Sequence, residues 1–137
     1  MLPIKIELPD GFLEEEVRCD YTITKEMKKI WAVELDLLVE FERVCRKYNL
    51  RYFAYGGTLL GAIRHQGFIP WDDDIDVVML REDYDRFVEI AGQEFQHPYF
   101  FQTEDTDPFS ARGHAQIRNS LTTGILKSEE PFRLRFN

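Results

Sequence analysis

The sequence predicts an α/β fold of the α+β kind, a sheet packed against helices. Three observations predict it: a helical period running from Thr24 to Tyr48, two short apolar runs separated by a Gly-Gly turn, and a second amphipathic stretch after them. At 137 residues, 44% hydrophobic and 14% aromatic, the chain can bury one real core.

Residues 1–22 carry Pro3, Pro9 and Gly11 and read as an extended arm packing on a core of residues 23–137. Thr24 is placed to cap a helix, with Glu26 in the first turn where a negative charge suits the dipole. Met27, Ile30, Trp31, Leu35, Leu38, Phe41, Cys45 and Tyr48 follow at helical spacing, and Val33, Leu37 and Val44 widen the apolar face, as expected of a helix against a sheet. Asn49 ends it. RYFAY (51–55) is a strand candidate entering Gly56-Gly57, and Thr58–Arg64 a short helix. The β-branched run Ile75–Leu80 predicts a second strand, and 82–93 a helix with Tyr84, Phe87, Val88 and Ala91 inward. YFFQ after Pro98 and HAQIRNS (114–120) are further strand candidates around a polar loop. The tail SEEPFRLRFN, with Phe132, Leu134 and Phe136 alternating, reads as a strand cut short.

A formal net charge of −8 argues against a nucleic-acid surface, which needs a basic stripe; any phosphate bound should be small and metal-assisted. Cys19 and Cys45 are too few and too far apart for a disulfide framework or a four-ligand zinc site, and read as thiols of a reducing cytoplasm. The first twenty residues lack the pattern of a signal peptide, and no run approaches the ~20 apolar residues of a membrane span. A cytoplasmic protein is expected.

The chemistry concentrates in GFIPWDDDIDVVM (67–79). Asp72, Asp73, Asp74 and Asp76 repel one another, increasingly as water is removed, so the group calls for a cation or for unusual exposure. Strand alternation puts Asp74 and Asp76 on one face and Ile75 and Val77 on the other. Two hard carboxylates suit Mg²⁺ or Mn²⁺, with Asp72 a further candidate ligand. The competing reading is an acidic turn that binds nothing. A calcium EF-hand fails because Val77 stands where that loop needs Gly.

Gly56-Gly57-Thr58 opens a helix and could admit a phosphate to backbone N–H groups, although a Gly-Gly pair alone is more often a tight turn. Arg64 is a candidate phosphate ligand beside it, and otherwise a surface charge. Trp71 could stack on a base or a choline group, or serve as a rim residue. His65, His97 and His114 show no metal-ligand spacing, and neither a serine-hydrolase elbow nor a P-loop is present.

The run YGGTLLGAIRHQGFIPWDDDIDVVM (55–79) resembles the signature block of the LicD family, within the DNA polymerase beta-like nucleotidyltransferase superfamily. MKKIWAVELDLLVEFERVC, REDYDRF and FQTEDTDPFSARGHAQIRNS extend the likeness over most of residues 12–127. The resemblance implies a mixed-sheet nucleotidyltransferase core and metal-dependent transfer of phosphocholine from CDP-choline to a surface glycan such as teichoic acid, capsule or lipopolysaccharide. Gly56-Gly57 falls on the family's glycine pair, and Asp74 with Asp76 on its Asp-x-Asp. The superfamily also takes a third carboxylate from a later strand. No acidic residue after Asp76 combines strand context with apolar flanks; Glu89 has the flanks but lies in a predicted helix. LicD-like chains also usually run longer, so a core fragment with impaired transfer is expected. Competing readings are a small-molecule nucleotidyltransferase and a non-catalytic nucleotide- or metal-binding module.

Overall fold

The computed structural model describes residues 1–110 and 112–123, so the strand expected in the C-terminal tail lies outside the described residues. β1 (Glu16–Arg18) and β2 (Tyr21–Ile23) form an antiparallel hairpin. Its two turn residues, Cys19 and Asp20, take φ of 53° and 56°, the paired left-handed conformation that matches strand twist. α1 (Lys25–Lys47) follows, capped as expected: Thr24 Oγ1 accepts the Met27 N–H at 3.2 Å. Asn49, at φ 54°, turns the chain out of the helix while the Leu50 N–H closes on Cys45 O at 2.8 Å.

β3 (Phe53–Ala54) and β4 (Val77–Val78) pair antiparallel and are shorter than the runs predicted to form them. The Asp76 N–H donates to Thr58 Oγ1 at 2.8 Å, and Asp76 O accepts the Tyr55 N–H at 3.0 Å. Asp76 is thereby tied to the start of α2 (Gly56–Arg64), and the regular strand begins only at Val77. In α3 (Arg81–Glu94) Phe87 and Ala91 are buried as predicted, but Val88 is 40% exposed and Ile90 packs on the core instead. Positions 87, 90 and 91 share one stripe, and 88 lies a further ~100° round the helix. β5 (Tyr99–Gln102) and β6 (Gln116–Asn119) pair antiparallel, both where the sequence places them.

Among the described residues the strands thus form three separate antiparallel pairs, whereas a single mixed sheet was expected. β3 and β4 pair over only two residues each, and the bonds beyond them go to the α2 turn. The core lies between α1, α3 and β5, where Phe41, Val44 and Cys45 meet Phe87, Ala91, Phe95 and Tyr99. Burial pushes the Cys45 thiol up to about 12, which makes it an inert packing residue, while Cys19 is exposed. Asp36, buried in α1, accepts the N–H groups of Lys5 (2.8 Å) and Ile6 (3.0 Å) and the Tyr99 hydroxyl. Asn119 Nδ2 donates to Pro3 O at 2.7 Å, so two polar anchors hold the N-terminal arm on the core. No helix among the described residues is long and apolar enough to cross a membrane.

Candidate functional site

The acidic loop sits between α1 and the first turn of α2. Trp31 of α1 is 1% exposed, stacks on Phe68 with centroids 4.6 Å apart, and donates its indole N–H to Asp72 O at 2.7 Å. This bond pins the loop backbone to the helix. On the other side a Cβ added to Gly57 would collide with Asp72 Oδ2, so the absence of a side chain at Gly57 is what admits the Asp72 carboxylate to the helix N-terminus. Gly56, at φ 52°, makes the turn that leads in.

Carboxylate oxygens of Asp72, Asp73 and Asp74 can lie within 4.8 Å of one another. This trio includes Asp73, which the sequence placed in the acidic cluster but not among the candidate ligands. Asp74 and Asp76 precede the strand, so strand alternation is not what relates them; both nevertheless line one cavity of about 1540 Å³. Asp74 is held above the usual carboxylate range by partial desolvation, then by the charges of Asp76, Asp72 and Asp73.

A further carboxylate faces this group from α1. Glu34 lines the same cavity, and burial, followed by repulsion from Asp74, Asp73 and Asp76, pushes its carboxyl up to about 7 against a hydrogen bond from the Ile75 backbone. Only acids following Asp76 were weighed from the sequence, and Glu34 precedes it in a helix whose apolar period drew the reading. Its one available signal was a charge on the border of a widened apolar face. β5 and β6 carry no carboxylate, and Glu89 is exposed and paired with Arg86 at 3.5 Å.

Glu34 has a consequence for stability. The metal-free folded protein holds the Glu34 proton up to about pH 7, whereas an unperturbed glutamate releases it near 4.5. The resulting contribution is fully present below pH 4.5 and is lost as pH rises to 7, a loss of about 1 to 3 kcal/mol. Glu34→Gln cannot ionise and should escape that loss. Urea melts in chelator are expected to show the variant gaining on the parent between pH 5 and pH 8; a constant difference would show that Glu34 is not held protonated.

Of the other sequence candidates, Thr58 joins the site through its bond to Asp76. Trp71 is 51% exposed, with Tyr21 and His65 edge-on to it at 5.8 and 6.1 Å. Arg64 is exposed with its Nε toward His65 Nδ1 at 3.4 Å, and it lines neither the large cavity nor the adjoining one of about 670 Å³. It stands at the far end of α2 from Gly57, about 10 Å along the axis, away from the glycine turn beside which it was expected to bind phosphate. The basic groups that do line the large cavity are Arg81, Arg112, His114 and Arg118, three of them on or before β6.

A search of known proteins finds the lipopolysaccharide cholinephosphotransferase LicD of Haemophilus influenzae, 51% identical over a stretch covering 58% of this chain and 32% of that protein. The ribitol 5-phosphate transferase FKRP of Homo sapiens is 44% identical over 34% of this chain and 9% of its own length. An uncharacterized protein of Rickettsia typhi is 44% identical over 42% of this chain and 18% of its own. The chain thus spans about a third, or less, of the curated relatives it matches. No solved structure matches it. Residues 49–122, more than half of the chain and including both the glycine turn and the acidic loop, match the family described as LicD/FKTN/FKRP, nucleotidyltransferase domain, and the chain belongs to that LicD family.

Proposed function

We propose that the large cavity holds a nucleotide-activated phospho-alcohol, CDP-choline, and that the domain serves transfer of its phosphocholine group to a cell-surface glycan such as lipopolysaccharide. The observation that carries this reading is that one cavity is lined both by carboxylates, Glu34, Asp74 and Asp76, and by guanidinium groups, Arg81, Arg112 and Arg118. A diphosphate bridging a divalent cation and guanidinium groups is complementary to that pattern. The choline group named for the H. influenzae relative and the LicD family match support the choice of donor.

An all-oxygen carboxylate set fits Mg²⁺ or Mn²⁺ and does not fit a softer metal. Asp74 and Asp76, with Asp72 and Asp73 beside them, would hold it. When bound, the ion would neutralise charge on the diphosphate and on the departing nucleotide. The chain's own residues do the positioning. Trp31 and Gly57 fix the Asp72 backbone and side chain, and Thr58 fixes Asp76. In the transfer an acceptor hydroxyl oxygen forms a bond to the phosphocholine phosphorus as the bond to the CMP oxygen breaks, and the hydroxyl proton is released.

The test is equilibrium binding of CDP-choline with Mg²⁺ or with chelator, alongside CMP release in the presence of lipopolysaccharide. Binding that requires the cation is expected. With no carboxylate on β5 or β6, transfer by this chain is expected to be slow. Equal or stronger binding of ATP, with modification of a small alcohol, would favour a small-molecule nucleotidyltransferase instead.

A further inference from the structure

We propose that Arg118 on β6 is the residue that anchors the donor's diphosphate. The proposal rests on reading the large cavity as the donor site, and it replaces Arg64 with a residue that lines that cavity. Arg118 is half-buried. Its Nε and Nη2 both donate to Gln116 Oε1, at 3.2 and 2.6 Å, and no carboxylate among the described residues pairs with it. This sets it apart from Arg43, Arg46, Arg51, Arg81 and Arg86, each of which has a carboxylate partner.

A half-buried guanidinium held by one neutral amide oxygen has donors to spare, and among the described residues no carboxylate meets them. Gln116 and Arg118 are two positions apart on β6, so both project from one face of the strand and the amide aims the guanidinium. The intervening Ile117 packs on the core and Asn119 is buried against Pro3, which fixes β6 from behind. β6 thus presents Arg118 to a cavity that Glu34, Asp74 and Asp76 also line. The ligand this arrangement fits is an anion able to span both sets of groups: a nucleoside diphosphate whose phosphates meet Arg118 at one end and a carboxylate-bound cation at the other. A monophosphate would use less of it, and an uncharged nucleoside none.

Calorimetric titrations of CDP, CMP, cytidine and inorganic pyrophosphate, with Mn²⁺ present, would be compared for the parent, Arg118→Gln and Arg118→Lys. Far-UV circular dichroism and thermal melts would check that each variant is folded. Arg118→Gln is expected to weaken CDP and pyrophosphate by roughly 10- to 100-fold, the range for a lost charge-assisted hydrogen bond, and to leave cytidine unchanged. Arg118→Lys should fall between, since it keeps the charge and loses the fork. CDP and pyrophosphate affinities within twofold of the parent in a folded Arg118→Gln would overturn the proposal. Pyrophosphate binding that depends on Arg118, without binding of CDP, would uphold the anion anchor and reject the nucleotide reading of the cavity. A parent that binds neither would overturn both.

Discussion

Replacing Asp74 and Asp76 together by asparagine is expected to abolish Mn²⁺ binding and to reduce any transfer by about 10³-fold, since groups that hold one charged centre act as a unit. Asn keeps the size and one acceptor oxygen of each side chain but removes the charge. Mn²⁺ titration followed by electron paramagnetic resonance reads the effect directly, and two further variants sharpen it. Asp74 belongs both to the Asp-x-Asp pair and to the cluster with Asp72 and Asp73, so Asp74→Asn alone should cost more than either Asp76→Asn or Asp73→Asn. Unchanged Mn²⁺ affinity in the folded double variant would mean that this loop is an acidic turn and not a metal centre. The double variant should also be more stable than the parent in chelator, because four neighbouring carboxylates lose part of their repulsion.

Trp31→Ala is expected to destabilise the domain by about 3 to 5 kcal/mol, the range for truncating a buried aromatic residue and a large part of the stability of a small domain. Trp31 is 1% exposed, it stacks on Phe68, and Arg18 and Lys28 lie over its ring at 5.5 and 5.3 Å. Trp31→Phe separates packing from positioning. It keeps most of the ring contact and removes only the N–H that holds Asp72 O, for a net cost of about 1 kcal/mol from that bond plus the loss in ring size. Thermal melts should therefore rank the parent above Phe and Phe above Ala, while the Mn²⁺ affinity of the Phe variant falls although its core stays packed. A Phe variant that binds Mn²⁺ like the parent would show that the acidic loop needs no tether from α1.

The elements that could be read from sequence are those whose signals are local. Thr24 as a cap, the apolar period of α1 and Asn49 as its end each act within a turn of the helix, and each is found where the pattern puts it. YFFQ and QIRN were legible for the same reason, as short runs of strand-forming residues bounded by a proline and a polar loop. The run 75–80 misled because its β-branched content could not reveal that Thr58 and Tyr55 would take the backbone bonds of Asp76. Val88 misled because an apolar residue beside Phe87 looks inward until the helix is rotated against its neighbours.

By itself the sequence determined that this chain folds around a long amphipathic helix, that it gathers aspartates beside a glycine turn, and that its motif is that of the LicD family. The first two follow from composition, period and spacing, which a single chain displays in order; the third rests on the likeness of the run 55–79 to that family's signature block. Only the tertiary structure decided which groups share a cavity. Trp31 and Asp72 are 41 positions apart yet joined by a hydrogen bond, which brings α1 and its Glu34 up to the acidic loop. Arg118 lines the same cavity from β6, while Arg64, much nearer in sequence, does not. The physical reason is that a helix or strand fixes directions over a few residues, whereas the meeting of distant side chains is set by how whole elements pack, and that is a balance over the entire core.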